Sequence, residues 1–413
     1  MTLFTAFSTQ GDAFLVERRD FTLLVDGGED PDFGKNFMDH IRNRRLSKGL
    51  KKRIPNYGKR EYKIDLLVCT HEDSDHVNGI ISLLEQDYIS VLCVWLPVLW
   101  KEILCLILDN NVGCYALIEF IKAKIRNQKN NYPKDQETLD ELEKELEKMG
   151  DFDIEKSLNQ LKQISTSYNN LISFLCQNKI NSSKDFTSLF LNRNKDIMEL
   201  ISKVVHIAAL AKLGKGAKVE WLTYNPKTSY TPVKSSSVTC LSHNIIAKGS
   251  TSTLVGHRRG HKINDESIVC LSKGKGTIEP DILFCADSKL SDIDIGFIKS
   301  LNKNCLITVP HHGAYSNDDT LDKLIKNSNR SIWVRGDSTR IKMGNKFLSL
   351  SRNARMLNKK RVFCTECRKY KRTGRSYSSH GSQILVLKYI YNSKKRRGKW
   401  VTKNKCCQCE MNL

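Results

Sequence analysis

Metal-binding side chains crowd into one short stretch of this sequence. The stretch holds two histidines and two aspartates, namely His71, Asp73, Asp75 and His76. It directly follows the apolar run 64–69, which has the length and composition of a buried strand. Imidazoles and carboxylates brought together at a strand end are costly to bury unless a cation lies among them. The stretch therefore predicts a site for two metal ions; the alternative is a solvated acidic turn with two incidental histidines.

Similar side chains end two apolar runs later in the chain. Asp287 follows the predicted strand 282–286, and His311 and His312 follow the predicted strand 305–309. Functional residues that recur at strand ends are typical of a site built along one edge of a sheet. We therefore expect these residues to share one site with the stretch 71–76.

The flanking sequence predicts the elements that would hold these residues. Residues 3–16 predict a β-hairpin with its turn at 10–12, and the next strand, 21–25, ends in Asp26, whose carboxylate we expect to cap the following turn. Apolar runs predict further strands at 64–69, 90–96, 218–223, 238–242, 267–271, 282–286, 305–309, 332–335 and 383–391. Helical periodicity predicts helices at 77–84, 182–213, 293–301 and 348–357. Strands that alternate with helices and with hairpins indicate a layered α/β sandwich.

A long helical region separates the two halves of this pattern. Residues 101–214 are almost wholly helical in periodicity, with leucines at helical spacing at Leu139, Leu142 and Leu146. Such stripes are typical of packing surfaces. We therefore expect a helical hairpin at 101–204, inserted into the fold, and this hairpin is the candidate surface for a protein partner.

The composition indicates which binding partners and which compartment to expect. A net charge of +22 predicts attraction to polyanions, whether nucleic acid or an anionic membrane surface, although a lysine-rich surface can also be merely solvated. The longest apolar region, 88–107, is interrupted by Pro97, Lys101 and Glu102, and a span needs about 20 mainly apolar residues. Fourteen cysteines without a secretory signal indicate a reducing compartment. We therefore expect a cytoplasmic protein with no membrane span.

Two segments concentrate the positive charge. Residues 35–63 predict a basic loop or short helix that either flanks the metal site or is simply solvated. Residues 352–405 carry a single acidic residue, Glu366, and interleaved aromatic residues that could stack on bases. The candidate nucleic-acid-binding residues are Arg368, Lys369, Lys371, Arg372, Arg396 and Arg397.

Two C-x-x-C pairs occur near the C-terminus, and together they contribute Cys364, Cys367, Cys406 and Cys409. Four such thiolates can form a tetrahedral structural zinc site. The gap between the pairs contains a predicted strand that could bring them together. The pairs therefore predict a structural zinc ion, and the alternative is two unrelated pairs of reduced thiols.

Several motifs together carry a resemblance to a known family. They are Val25-Asp26-Gly27-Gly28, Thr70-His71-Glu72-Asp73-Ser74-Asp75-His76, Phe284-Cys285-Ala286-Asp287 and Pro310-His311-His312-Gly313. In this combination the sequence resembles the metallo-β-lactamase fold superfamily. A closer match, to the hydrolase domain of the bacterial competence DNA-uptake channel and its free-standing relatives, is carried by Gln10-Gly11-Asp12-Ala13, Val94-Trp95-Leu96-Pro97, Asn264-Asp265-Glu266-Ser267-Ile268-Val269 and the His-His-Gly motif.

The resemblance implies a four-layer αββα sandwich. Its first half would be 1–100 and its second half 205–392, with the helical insertion 101–204 between them. A basic, cysteine-rich tail would follow at 393–413.

The resemblance also implies a role for each residue of the site. His71 and Asp73 would hold one divalent ion, Asp75, His76 and His312 the other, and Asp287 would bridge the two. Asn264, a further candidate metal residue, stands where histidine is usual, although His261 lies close, and Asp73 also replaces a commoner histidine. These oxygen-rich substitutions shift the preference from zinc toward manganese or magnesium, with manganese favoured. A single occupied site is the alternative to two. Asp75 and His311 are the candidate catalytic residues; His311 would either support its neighbour or give a proton to the leaving oxygen.

The predicted activity is therefore metal-dependent hydrolysis of phosphodiester bonds through a metal-activated water. The substrate expected is DNA or RNA. Two alternatives remain open at this stage. One is a hydrolase of a small molecule such as a cyclic nucleotide, lactone or thioester. The other is a non-catalytic partner subunit of a larger complex.

Overall fold

The computed structural model describes most of two regions that flank a long central segment. The described residues are 2–47, 61–97, 100, 203, 207, 211, 215–222, 229–233, 236–241, 267–276, 278–290, 295–302, 304–328, 331–336, 343–350, 361–365, 384–394 and 397–402. The chain divides into two compact units, one of residues 1–97, 209–245 and 262–413 and the other of residues 98–208 and 246–261. The elements below belong to the first unit. The predicted helical hairpin at 101–204 lies outside the described residues, apart from Lys203.

Strands dominate the described part of the chain. They are β1 (Thr2–Ala6), β2 (Phe14–Glu17), β3 (Thr22–Val25), β4 (Tyr62–Val68), β5 (Ile89–Pro97), β6 (Lys218–Leu222), β7 (Ser229–Val233), β8 (Ser236–Cys240), β9 (Cys270–Lys273), β10 (Ile282–Phe284), β11 (Leu306–Thr308), β12 (Ile332–Arg335), β13 (Arg361–Cys364), β14 (Leu385–Asn392) and β15 (Arg397–Thr402). The helices are α1 (Phe33–Ser47), α2 (Ser74–Leu84), α3 (Ile295–Ser300) and α4 (Asp318–Asn327), with 3₁₀ turns at Pro310–Gly313 and Tyr315–Asn317.

The strands form two sheets. The first has eight strands in the order β15-β14-β1-β2-β3-β4-β5-β6, and the second has seven in the order β13-β12-β11-β10-β9-β8-β7. Neighbouring strands are parallel from β3 to β6 in the first sheet and from β10 to β13 in the second. The carboxyl ends within each parallel run therefore point the same way, which is the arrangement that gathers loop residues at one edge.

The two sheets pack face to face through an aromatic contact. The ring of Phe284 on β10 lies 6.3 Å from that of Phe4 on β1 and 6.2 Å from that of Phe14 on β2. Helix α1 packs on the first sheet through Phe37, whose ring lies 5.4 Å from that of Tyr62 on β4. Helices α3 and α4 bury Ile298, Leu321 and Leu324 in the core formed by the second sheet. The α/β sandwich expected from the sequence is confirmed.

The sequence missed three strands and understated one helix. Strands β7, β13 and β15 were not expected, and α1 is a 15-residue helix where a basic loop or short helix was predicted. Strand β15 pairs with β14 from Asn392↔Arg397 to Leu387↔Thr402. The first sheet therefore continues beyond residue 392, into the segment expected to be a tail. Among the described residues, no helix has the length and apolar character needed to cross a bilayer.

Candidate metal centre

The loops that end β4, β10 and β11 meet the turn between β1 and β2. Backbone hydrogen bonds hold these loops in register: Asp12 donates to Asp75 O at 3.1 Å, Ile268 to Thr70 O at 2.9 Å, and His311 to Ala286 O at 2.8 Å. The meeting point lies at the carboxyl ends of parallel strands, as the recurrence of histidine and aspartate at strand ends predicts. Helix α2 begins within the same site, at Ser74.

One group of candidate ligands consists of His71, Asp73 and Asp287. Their ligand atoms all lie within 4.8 Å of one another. Nε2 of His71 is 3.6 Å from Oδ2 of Asp73 and 3.8 Å from Oδ2 of Asp287. Two carboxylates and one imidazole form a hard, oxygen-rich donor set.

A second group surrounds the other oxygen of Asp287. It consists of Asp12, His76, Asp287 and His312, all of them buried, with ligand atoms again within 4.8 Å of one another. Oδ1 of Asp287 is 3.4 Å from Nε2 of His76 and 3.6 Å from Nε2 of His312. Asp287 therefore belongs to both groups and turns one carboxylate oxygen toward each.

The hydrogen bonds missing from this cluster test whether a metal fits it. Six buried atoms of this cluster have no hydrogen-bond partner among the described residues: Nε2 of His71, His76 and His312, Nδ1 of His312, and Oδ1 of Asp12 and Asp287. A buried polar atom left without a partner costs about 1–3 kcal/mol, so six in one place would be a large penalty. Divalent cations bind imidazole nitrogen and carboxylate oxygen. The cluster is compatible with divalent metal binding.

Asp26 fixes the orientation of two of the histidines. Its Oδ2 accepts hydrogen bonds from Oγ1 of Thr70 at 2.7 Å and from Nδ1 of His76 at 2.8 Å, and its Oδ1 accepts one from the backbone N–H of Thr70. Because the Thr70 hydroxyl donates its proton to Asp26, it must accept one from Nδ1 of His71, which is 3.0 Å away. In their neutral form both histidines therefore carry their proton on Nδ1, so Nε2 is the atom available to a metal. The expectation that Asp26 caps its own turn is wrong, because its carboxylate is occupied by Thr70 and His76.

The third histidine has a close carboxylate neighbour that the sequence did not assign. Nδ1 of His312 lies 3.2 Å from Oδ1 of Asp12, and the buried Arg335 donates from Nε to the backbone oxygen of His312 at 2.7 Å. Asp12 follows Gly11, whose φ is +95° and where a Cβ atom would lie 1.7 Å from the Asp75 oxygen. A glycine is required at this approach. One signal in the sequence could have pointed to Asp12. It is an aspartate that directly follows a turn glycine, at the edge of the sheet that carries the other candidate ligands.

Backbone strain is concentrated at this site. Among the described residues, non-glycine residues with positive φ include Asp26 at 57°, Ala286 at 47°, His311 at 47° and His312 at 49°. Such conformations cost free energy and persist where the surroundings impose them, which is common at functional sites. Four of these residues lie in the cluster or beside it: the candidate ligand His312, its neighbour His311, Ala286 before Asp287, and Asp26 beside His76, whereas Leu290 and Asn304 also have positive φ.

Charge pairing shifts the pKa values of the cluster. Burial lowers the pKa of His312, but Asp12 and Asp287 outweigh it and raise the value to about 10. In His76, burial is likewise outweighed, by Asp287 and Asp26, and its pKa lies well above the usual value. Burial raises the pKa of Asp287, but His76 and His312 more than offset this and hold it well below the usual range. Without metal at neutral pH, His76 and His312 are therefore protonated beside the ionised Asp287.

Metal affinity should consequently rise with pH. A histidine must lose its proton to coordinate a metal, and His312, with a pKa of about 10, is protonated at neutral pH in the metal-free protein. We expect metal binding to release protons and the affinity to increase steadily between about pH 6 and pH 9. Competition titrations across this range, with proton release followed in weak buffer, measure both effects. An affinity independent of pH would contradict the assignment of His312 as a ligand.

The remaining predicted site residues are placed as follows. Oδ2 of Asp75 lies 3.5 Å from Nε2 of His312, although Asp75 is not a member of the four-residue group. Nε2 of His311 lies 3.3 Å from Oδ2 of Asp287, and its Nδ1 lies 3.3 Å from both Ser316 Oγ and Asn317 Oδ1.

Cys364 is buried on β13, and Arg397 is exposed on β15. Predicted residues outside the described part of the chain are Asn264, Cys367, Cys406, Cys409, Arg368, Lys369, Lys371, Arg372 and Arg396.

The described arginines of the basic segment 35–63 lie away from the metal residues. Arg42 lies over the ring of Tyr88, 5.7 Å from its centroid, and Arg44 pairs with Glu17. Tyr88 precedes β5, and Glu17 ends β2 opposite the start of β3. Both contacts are therefore at the opposite end of the first sheet from the carboxyl ends that carry the ligands. Of the two alternatives for this segment, the one in which it flanks the metal site does not hold for Arg42 and Arg44.

A two-sheet α/β sandwich with buried histidine and aspartate at its strand ends defines a class of metal-binding folds. Comparison with protein families is consistent with this: the model of the metallo-beta-lactamase superfamily matches residues 7–99. The match includes Asp12, Asp26 and the stretch 71–76, and the resemblance to this superfamily is confirmed over that range. No curated protein matches the chain.

Proposed function

We propose that this protein is a metal-dependent hydrolase that cleaves phosphodiester bonds in DNA or RNA. The observation that carries the proposal is the convergence of three histidines on the two oxygens of Asp287, with their ligand atoms buried and unpaired among the described residues. The match of residues 7–99 to a superfamily of mostly metallo-hydrolases supports hydrolysis as the reaction.

The residues of the chain divide into those that hold metal and those that orient the holders. His71, Asp73, His76, His312 and Asp287 would hold two divalent ions. Such ions supply Lewis acidity toward a phosphoryl oxygen and lower the pKa of a coordinated water. No serine or cysteine nucleophile is then required.

Supporting residues would keep these ligands in place. Asp26 fixes the tautomers of His71 and His76, and Asp12 lies against Nδ1 of His312. His71, His76, His312 and Asp287 are buried, which keeps bulk water away from them and strengthens their charge interactions, whereas the side chain of Asp73 is 44% exposed. The donor set of His71, Asp73 and Asp287 favours manganese over zinc at that position.

Two features support nucleic acid as the substrate. The net charge of +22 favours a polyanion over a neutral small molecule. The motifs Gln10-Gly11-Asp12-Ala13 and Pro310-His311-His312-Gly313 resemble those of the hydrolase domain of a DNA-uptake channel. Asp12 and His312 of these motifs contact each other across the site, so the resemblance falls on residues that the fold brings together.

The test is hydrolysis by metal-free protein resupplied with manganese, magnesium or zinc. Labelled DNA and RNA should be cut, and a cyclic nucleotide, a lactone and a thioester should not. The double variant Asp75→Ala, His76→Ala should be inactive, and wild-type binding to DNA should weaken steeply as salt increases. Equal activity in the double variant and the wild type would overturn the catalytic proposal, and hydrolysis confined to a small molecule would overturn the substrate.

His311 is the candidate proton donor to the leaving oxygen. It is only partly buried, beside Oδ2 of Asp287, and would stand next to a bound substrate. Replacing His311 with glutamine should slow cleavage of DNA by about 10²–10⁴-fold, the usual contribution of general acid catalysis. Cleavage of bis(p-nitrophenyl) phosphate should be nearly unchanged, because its leaving group needs no proton.

The control for this experiment is Ser316→Ala, which removes a neighbour of His311 without removing the imidazole. It should retain most of its activity on both substrates. An equal loss on both substrates in His311→Gln would show that His311 supports the metal ligands and donates no proton.

A further inference from the structure

Strands β14 and β15 carry positive side chains on one face at the edge of the first sheet. Directly opposed residues of an antiparallel pair place their side chains on the same face. The pairs Lys388↔Val401, Ile390↔Lys399 and Asn392↔Arg397 therefore share one face, which we call the outer face. Arg397 and Lys399 on it are exposed, and the side chain of Ile390 between them is 40% exposed.

Among the described residues of β14, β15 and the turn between them, none is an aspartate or glutamate, and the turn includes the exposed Lys394. Arg397 and Lys399 are two residues apart on one strand, about 7 Å at the rise of an antiparallel strand. This is about two phosphate repeats along one strand of a duplex.

The opposite face of the same strands is anchored in the core. The rings of Tyr389 and Trp400 are buried and lie 5.3 Å apart in an edge-to-face arrangement. Nε1 of Trp400 donates to the backbone oxygen of Asn304 at 2.9 Å, which ties β15 to the loop before β11. The outer face is therefore a rigid platform and not a loose tail, so binding to it carries little ordering cost.

The register of β1 locates this platform relative to the metal centre. Strand β1 runs from Thr2 toward the turn that carries Asp12, and it pairs with β14 from Thr2↔Tyr389 to Ala6↔Leu385. Leu385 therefore lies at the metal end of β14. Asn392, opposite Arg397, lies seven residues along the strand, about 24 Å away at 3.4 Å per residue. Arg397 therefore lies at the end of the sheet remote from the candidate ligands.

We propose that the outer face of β14 and β15 is an accessory site for the sugar–phosphate backbone of a nucleic acid. As a substrate site, this rests on the proposed function. A duplex advances 3.4 Å per base pair, so about seven base pairs cover the 24 Å between the two ends of the sheet. The metal centre would cut short and long substrates alike, and only longer ones would gain affinity from Arg397 and Lys399.

The test compares the double variant Arg397→Gln, Lys399→Gln with the wild type. Its matched control is Lys299→Gln, Lys326→Gln, which removes the same charge from exposed residues of α3 and α4. For a duplex of about 30 base pairs, the slope of log K against log salt should fall by about 1.8 in the first variant, because each phosphate contact contributes about 0.9. Its KM on this duplex should rise with kcat unchanged, while cleavage of bis(p-nitrophenyl) phosphate should be unchanged in both variants.

Each outcome bears on one claim. Equal salt slopes in the wild type and both variants would overturn the accessory site. An equal fall of the salt slope in the two variants would also overturn it, because the fall would then reflect net charge alone. Loss of binding to vesicles of anionic lipid without loss of DNA binding would overturn it in favour of a membrane surface. The salt slopes are measured by binding, so they test the accessory site even if the protein cuts no nucleic acid. An absence of cleavage would defeat only the proposed function.

Discussion

Asp287→Asn should abolish metal-dependent activity. Asp287 is the residue shared by both ligand groups: its Oδ2 faces His71 and its Oδ1 faces His76 and His312. An amide keeps the shape but loses the charge and one acceptor, so both groups lose a ligand together. Changing a residue that only supports a ligand typically costs 10–100-fold in affinity or activity, so we expect a loss greater than about 100-fold here.

Metal-dependent stabilisation measures the same loss without an activity assay. Metal at about 100 times its Kd should stabilise the wild type by about 2.7 kcal/mol, and the variant should gain much less at the same concentration. The control is Asp39→Asn, the same change at an exposed carboxylate of α1 that pairs with Arg42. It should behave as the wild type, since exposed ion pairs contribute little. Full metal stabilisation of Asp287→Asn would show that the cluster does not bind metal through this carboxylate.

Asp26→Asn should weaken metal binding although Asp26 is not assigned as a ligand. With its nitrogen in the place of Oδ2, the amide would face Nδ1 of His76 and Oγ1 of Thr70, which both donate there, and with its nitrogen in the place of Oδ1 it would face the donating backbone N–H of Thr70. In the first orientation, His76 relieves the clash of donors by moving its proton to Nε2, the atom that faces Asp287. Because the Thr70 bond also orients His71, we expect the upper part of the 10–100-fold range in lost affinity.

A rise in metal concentration should restore the activity of Asp26→Asn, which a general loss of structure would not allow. The matched control is Asp65→Asn, a buried aspartate that accepts a hydrogen bond from Thr22 at the other end of β4. It is expected to change stability and leave metal affinity unchanged. Unchanged affinity in Asp26→Asn, or equal losses in the two variants, would show that Asp26 does not set the histidine tautomers.

The sequence predicts best what local pattern encodes. Histidine and aspartate at the ends of apolar runs indicated His71, Asp73, His76, Asp287 and His312, because a strand end fixes where its next residues point. The carboxylates that support them are not encoded locally. Asp26 and His76 are 50 positions apart, and the contact of Asp12 with His312 depends on two turns meeting across both sheets. Only the assembled fold shows these contacts.

Charge patterns were harder to interpret than ligand patterns. The basic segment that begins at Lys35 suggested a surface near the metal, but the direction of α1 carries Arg42 and Arg44 to the other end of the sheet. Strand β15 was hidden because its lysine and arginine side chains resemble a solvated tail, and its pairing with β14 is a long-range property. Net charge thus indicates the class of partner, and only the fold indicates where it would bind.

The central claim is that Asp287 joins two metal ions to three histidines. The most direct measurement is anomalous diffraction from crystals of the protein loaded with manganese. The account predicts one peak bonded to Oδ2 of Asp287 on the side of His71, and a second bonded to Oδ1 on the side of His76 and His312. Peaks elsewhere, with Asp287 hydrogen-bonded to these histidines and free of metal, would contradict it.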